Sequence, residues 1–91
     1  MTPKDFGLTP TEQAVLGWWL AGKSRAAIAE HRGWATRKET SRYFVSARKK
    51  LGMRGRSDGA LACVALVIGI RPMDFDGQVA HPRPFLADLS R

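Results

Sequence analysis

Residues 60–68, ALACVALVI, are apolar without interruption. Ser57 or Asp58 before them can cap a helix, so this segment predicts a helix over about residues 58–69. It is far shorter than the roughly 20 apolar residues that a helix needs to cross a membrane. A helix that is apolar on every side must be covered on more than one side. The rest of the chain must therefore build a core around it, and any side left over needs a second subunit or the chain's own tail.

A first helix is indicated by start signals near the N-terminus. Thr9 can cap it, Pro10 suits its first position, and Glu12 lies three residues past the cap, where it can close a capping box. Gly22 ends the pattern, which predicts a helix over about residues 10–21. Its apolar side, with one or both tryptophans expected in the core, comprises Val15, Leu16, Trp18, Trp19 and Leu20.

Two further helices follow in the middle of the chain. Ser24 can cap a short second helix, which Gly33 breaks. Thr36 and Glu39 repeat the capping box, and Gly52 stops a third helix. No segment alternates between apolar and polar residues as a half-buried β-strand does. Together with the apolar helix, these signals predict an all-α fold of four helices.

The third helix, TRKETSRYFVSARKKLG, has two different sides. Residues at steps of three and four form a stripe that is typical of a side turned towards a core. We expect the opposite, basic side to face solvent or a partner. The core side holds Thr40, Tyr43 or Phe44, Ala47 and Leu51. The opposite side holds Arg37, Lys38, Ser41, Arg42, Val45, Arg48 and Lys49.

Positive charge is concentrated in the middle of the chain. Residues 23–56 hold eleven lysines and arginines against Glu30 and Glu39, a net charge of +9, whereas the whole chain carries +7. A localised basic region is typical of a surface that meets nucleic acid. A second interpretation stays open, in which these charges only solvate a helix. Against this second interpretation, the exposed side of the third helix is nearly free of acidic residues. A helix side that only faces solvent usually carries both acidic and basic residues.

Other kinds of chemistry find no support in the residue types. Cys63 is the single cysteine, so an internal disulfide and a CxxC metal site are excluded. His31 and His81 are isolated, and no glycine-rich phosphate loop follows a strand. We therefore expect no enzyme, metal or cofactor, and no small-molecule ligand is evident. The start, MTPKDFGLTPTEQ, lacks the regions of a signal peptide, and no long apolar run exists, so we expect a cytoplasmic protein without a membrane partner.

An ordered set of motifs runs through the chain, namely Leu8-Thr9-Pro10-Thr11-Glu12, Ala21-Gly22-Lys23-Ser24, Ile28-Ala29-Glu30 and Lys50-Leu51-Gly52-Met53-Arg54-Gly55-Arg56-Ser57. Together these motifs resemble a known family, the C-terminal DNA-binding domain of LuxR-type regulators. The resemblance spans roughly residues 8–70 and implies a four-helix, LuxR/GerE-like helix-turn-helix domain. Residues 1–7 then form an N-terminal arm and residues 71–91 a C-terminal extension. In that family the third helix reads the major groove and the fourth contributes to dimerisation.

The resemblance also implies roles for individual residues. Aligned from Leu51-Gly52, the family's base-contacting positions fall on Ser41, Arg42 and Val45. Arg42 can donate to a guanine edge, and Val45 can meet a thymine methyl group. Phosphate contacts are expected from Thr36, Arg37, Lys38, Arg48, Lys49, Arg54 and Arg56. Dimer contacts are expected from Leu61, Val64, Ala65 and Ile68.

The predicted function is sequence-specific binding of double-stranded DNA by a transcription regulator, acting as a homodimer at the nucleoid. A second hypothesis is a small antagonist or adaptor that pairs with a full-length LuxR-type regulator or with RNA polymerase. It is motivated by a turn one residue longer than the family's pattern and by the apolar residues of the extension. We expect the extension, which holds three prolines, to pack on the fourth helix or a partner through Phe75, Phe85 and Leu86.

Overall fold

The computed structural model describes residues 2–80. Within that range the chain forms a short 3-10 helix, Pro3–Phe6, and four α-helices, and it contains no β-strand. The prediction of an all-α fold with four helices is confirmed. The first and fourth helices end one and two residues earlier than expected. The helices are α1 (Pro10–Leu20), α2 (Arg25–Arg32), α3 (Arg37–Lys50) and α4 (Asp58–Val67).

The helix-start signals act as the sequence predicted. In α1, the backbone N–H of Glu12 donates to the Thr9 hydroxyl at 3.2 Å, and the N–H of Thr9 donates to the Glu12 carboxylate at 2.8 Å. Thr36 and Glu39 form the second capping box at the start of α3. α2 ends at Gly33, whose φ of 73° lies in the left-handed region that glycine adopts at little cost. Local residues thus determine where the helices begin and end.

The core lies between α1, α2 and α3, with one side of α4 added to it. Both tryptophans of α1 enter this core, since Trp18 and Trp19 are only 6 % and 5 % exposed. The Trp19 ring meets the Phe44 ring edge-on with centroids 5.4 Å apart, which joins α1 to α3. The largest fully buried apolar side chains are Leu16, Leu20, Ile28, Leu61 and Val15.

The described part of the C-terminal extension, residues 71–80, crosses α1. The backbone N–H of Met73 donates to the Gly17 carbonyl oxygen at 3.0 Å. A Cβ atom at Gly17 would lie 2.9 Å from the Arg71 carbonyl oxygen, closer than real Cβ contacts. The glycine at this position therefore allows the extension to approach the backbone of α1.

We expected Phe75 to pack on α4 or on a partner, but it packs on α1 and α2. Its ring stacks on His31 with centroids 4.3 Å apart and meets Trp18 edge-on at 5.6 Å. The aromatic rings of the first two helices thus offer Phe75 a site that its apolar character alone does not reveal. The other two residues expected on α4, Phe85 and Leu86, lie outside the described residues.

Candidate nucleic-acid interface

α3 is held in the fold by its buried side. Thr40, Phe44 and Ala47 are each at most 2 % exposed. The Thr40 hydroxyl donates to the Arg25 carbonyl oxygen at 3.1 Å, which ties the middle of α3 to the first residue of α2. The helical stripe therefore predicted the inward side of α3 correctly. Of the two alternatives for its second position, Phe44 is buried and Tyr43 is half-buried.

The side of α3 opposite the core is exposed and basic. Its residues recur at steps of four, three and four, as one side of a helix requires. Val45 is an apolar residue among cations, and it is 63 % exposed. None of the four residues on this side carries a negative charge. They are Lys38, Arg42, Val45 and Lys49.

One flank of α3 forms an open groove with the start of α2. The groove is lined by Arg37 and Ser41 from α3 and by Ser24, Arg25 and Ala26 from the other helix. Ser24 caps α2, and the first N–H groups of a helix favour negatively charged partners. Sequence reasoning assigned roles to the two α3 residues but missed Arg25. The available signal was the position of Arg25 directly after a helix cap within the basic segment.

Arg48 is engaged inside the protein. Its Nη1 donates to the Arg56 carbonyl oxygen at 2.8 Å, and its Nη2 contacts the Asp58 carboxylate. The Arg48 side chain is only 17 % exposed. The prediction that Arg48 contacts a phosphate is therefore wrong, because its guanidinium holds the loop between α3 and α4. The sequence shows the charge of Arg48, but it does not show that Arg56 and Asp58 fold back to contact it.

The other residues expected to contact phosphate are exposed at the surface. Arg54 and Arg56 lie in the loop after α3, and Thr36 lies directly before the helix. The Thr36 hydroxyl accepts from the Lys38 N–H at 3.2 Å and donates to the Glu39 carboxylate at 2.9 Å. This hydrogen bond from Thr36 holds the pKa of Glu39 below its ordinary value. Thr36 therefore acts as a helix cap in the protein.

Lys50 links the end of α3 to the start of α1. Its ammonium nitrogen lies 2.6 Å from Oε1 of Glu12, whose side chain is 2 % exposed. Burial raises the pKa of Glu12, but hydrogen bonds from Lys50 and Thr9 outweigh it, so the pKa is lowered overall. The charged Glu12 thus anchors α3, and the charge of Lys50 is directed away from the exposed basic side.

Three of the four residues expected at a dimer interface lie in the core instead. Leu61 and Ala65 are fully buried and Ile68 is 3 % exposed, while Val64 is half-buried. The expectation was wrong because a helix that is apolar on every side does not reveal which side turns inward. The solvent side of α4 presents Val67, which is 80 % exposed.

Comparisons of the chain with protein-family models, curated proteins and solved structures found no match. Across residues 2–80, every helix is too short or too polar to span a bilayer. In the same range, no three His, Cys, Asp or Glu side chains are grouped so that they could hold a metal ion. The exposed basic side of α3 is the feature of residues 2–80 that points to a function.

Proposed function

We propose that this protein is a LuxR-type helix-turn-helix regulator that binds double-stranded DNA sequence-specifically. The observation that carries the proposal is the outward side of α3, where exposed cations and Val45 surround a helix whose other side is buried. The major groove of B-DNA admits an α-helix. α2 and the turn at Gly33 precede α3 in the order of a helix-turn-helix motif, in which the second helix enters the groove.

Base selection is assigned to Ser41, Arg42 and Val45. Arg42 is exposed and carries two parallel donors that match the acceptors on a guanine edge. Val45 can contact a thymine methyl group, which accounts for an apolar side chain on a basic surface. Ser41 is half-buried and lines the open groove at the start of α2, so it is the least exposed of the three residues.

Attachment to the DNA backbone is assigned to exposed cations on either side of these residues. Phosphate contacts fix the register of a protein on the duplex and supply most of its salt-dependent affinity. We add Arg25 to this group, because it lies in the groove with Arg37 at the start of α2. We remove Arg48, whose guanidinium is engaged with Arg56 and Asp58. The remaining members of the predicted set are Lys38, Lys49, Arg54 and Arg56, together with Thr36, which also caps α3.

Dimerisation is assigned to the solvent side of α4. Leu66 and Val67 are 37 % and 80 % exposed, and Cys63 next to them is half-buried. In the proposed dimer interface, these residues replace Leu61, Ala65 and Ile68, which lie in the core. A two-fold dimer places two reading helices on half-sites about one turn of DNA apart.

The test of this proposal is duplex binding measured by fluorescence anisotropy across salt concentrations. A protein that neutralises about six phosphates loses roughly a factor of 10³ in affinity between 50 and 200 mM salt. Selection from a pool of random duplexes should then yield one preferred sequence with a two-fold repeat. Salt-independent binding, or binding that is equally strong for all sequences, would contradict the proposal.

A second candidate function is an adaptor that pairs with another transcription regulator or with RNA polymerase. The exposed apolar residues Val67 and Val79, which are 80 % and 69 % exposed, favour this candidate. An adaptor predicts weak DNA binding that does not distinguish sequences, together with a partner that co-purifies from the native cell. Replacing Val67 by Lys would then abolish co-purification and leave the weak DNA binding unchanged.

A further inference from the structure

The second flank of α3 holds a pocket that the proposed DNA contacts do not use. It lies opposite the groove at the start of α2, between α3, the first turn of α1 and Trp34 in the turn after α2. Its volume is about 360 Å³, and it is open to solvent on one side. This volume falls within the range of small-molecule sites in proteins.

Glu12 lines this pocket, and one of its two carboxylate oxygens is buried without a hydrogen-bond partner. Oε1 of Glu12 accepts from the Thr9 backbone N–H and from Lys50. Oε2 has no hydrogen-bond partner, although the Glu12 side chain is only 2 % exposed. A buried acceptor on an ionised group that lacks a donor is costly, so a ligand N–H or O–H at Oε2 gains a charge-assisted hydrogen bond.

Two aromatic rings form part of the pocket wall. The rings of Trp34 and Tyr43 are stacked, with centroids 5.0 Å apart and planes inclined by 13°. Both residues line the pocket, and both are half-buried. Flat, rigid surfaces of this kind favour planar ligands.

The charges around the pocket balance one another. Glu12 and Glu39 contribute two negative charges, and Arg42 and Lys50 contribute two positive charges. A cationic ligand would be attracted by the two carboxylates but repelled by Arg42 and Lys50. An anionic ligand would be attracted by these two cations but repelled by the carboxylates. An uncharged ligand avoids both repulsions and still offers a donor to the unpaired oxygen.

We propose that this pocket binds a neutral, planar aromatic molecule that carries one N–H or O–H donor. The donor bonds Oε2 of Glu12, and the ring lies against Trp34 and Tyr43. Because Arg42 belongs both to the pocket rim and to the proposed base-reading residues, an occupied pocket restricts Arg42 and weakens DNA binding. This last step rests on the proposed function, whereas ligand binding itself does not.

The probe for ligand binding is phenol, with anisole as its matched control. The two molecules share one ring, but anisole carries a methyl group where phenol carries its O–H donor. We expect saturable chemical-shift changes of the Trp34 indole N–H and the Ser46 amide when the full chain is titrated with phenol. Anisole should bind at least about tenfold more weakly, because it leaves Oε2 unpaired. Equal binding of the two molecules, or no saturable change with phenol, overturns the site.

Two variants at Ser46 test the position of the ligand. Ser46 lines the pocket but lies outside the Glu12–Lys50 ion pair and both capping boxes. Ser46→Leu fills the pocket and should abolish phenol binding, while Ser46→Ala should retain it within about threefold. Phenol binding that survives Ser46→Leu places the ligand elsewhere. Phenol binding that disappears in Ser46→Ala assigns the contact to the Ser46 hydroxyl and overturns the role of Glu12.

The link to DNA is measured separately by duplex binding with and without saturating phenol. We expect phenol to weaken duplex binding severalfold in the parent chain and to have no effect in Ser46→Leu. A chain that binds phenol but no duplex overturns the proposed function and leaves the pocket assignment intact. A chain that binds the duplex but not phenol overturns the pocket alone. Unchanged duplex affinity with phenol bound removes the coupling through Arg42.

Discussion

α3 and α4 follow each other in the chain, but their sequences differ in how well they predict which side of the helix faces the core. Along α3, apolar residues alternate with basic ones at helical spacing, and the buried side found in the structure is the one that this contrast predicts. Along α4, nearly all residues are apolar, and the side predicted to meet a partner is the side that fills the core. The side of a helix that faces the core is thus predictable when one side is apolar and the other is charged. In a helix that is apolar on nearly every side, this contrast is missing.

The largest expected effect distinguishes the two sides of α4. Leu61→Ala should lower the free energy of unfolding by about 2–5 kcal/mol, because Leu61 is fully buried and its removal leaves a cavity. Val67→Ala, on the exposed side, should change it by less than about 0.5 kcal/mol. Urea unfolding of both variants at low protein concentration provides the measurement. Similar losses for the two variants would mean that α4 has no preferred inward side.

The next effect concerns the ion pair that anchors α3 to α1. Lys50→Met keeps most of the side chain but leaves the buried carboxylate of Glu12 without its cation. We expect the free energy of unfolding to fall by about 1.5–3 kcal/mol, the usual contribution of a hydrogen bond to a charged group. Lys49→Met is the matched control, since Lys49 is exposed on the outward side. Equal stability of the two variants would show that Lys50 does not hold α3 in place.

The same ion pair predicts a pH dependence. The pKa of Glu12 is lowered from its ordinary value of 4.5 in the folded protein, so the unfolded chain takes up the proton more readily. The stabilisation is therefore complete above about pH 4.5 and decreases as the pH falls through the lowered pKa of the folded state. Urea unfolding between pH 6 and 3 should show this loss in the parent chain and a smaller loss in Lys50→Met. Parallel curves for the two proteins would contradict it.

The third effect tests the outward side of α3. Arg42→Ala should weaken binding to the preferred duplex by about 1–3 kcal/mol, because a bidentate contact to guanine is lost. Binding to random duplexes should weaken much less, and the free energy of unfolding should stay within about 0.5 kcal/mol of the parent value. Anisotropy titrations with both duplexes provide the comparison. Equal losses on both duplexes would reduce Arg42 to a phosphate contact.

The smallest effect tests Arg48, whose guanidinium binds the loop between α3 and α4. Arg48→Ala should lower the free energy of unfolding by about 1 kcal/mol, because its bonds to Arg56 and Asp58 are partly exposed to solvent. The salt dependence of DNA binding should stay close to that of the parent chain, since Arg48 is not assigned to a phosphate. A shallower salt dependence with unchanged stability would return Arg48 to the phosphate contacts.

The sequence was sufficient for the features that depend on neighbouring residues. The capping boxes at Thr9 and Thr36 and the buried side of α3 follow from spacings of three and four residues. Features that depend on distant residues were not predicted. The contact of Phe75 with Trp18 requires the chain to return across α1, and the engagement of Arg48 requires a loop to fold back. The LuxR-type assignment and the DNA contacts remain predictions.

Arg48 also has a mechanical consequence for the loop that carries Arg54 and Arg56. Because the guanidinium fastens this loop to the end of α3, we expect the side chains assigned to the DNA backbone to keep a fixed spacing from those assigned to the groove. A fixed spacing would fit only a narrow range of groove widths and helical twists. Stiff or unusually twisted duplexes should therefore be rejected even where every contacted base is correct.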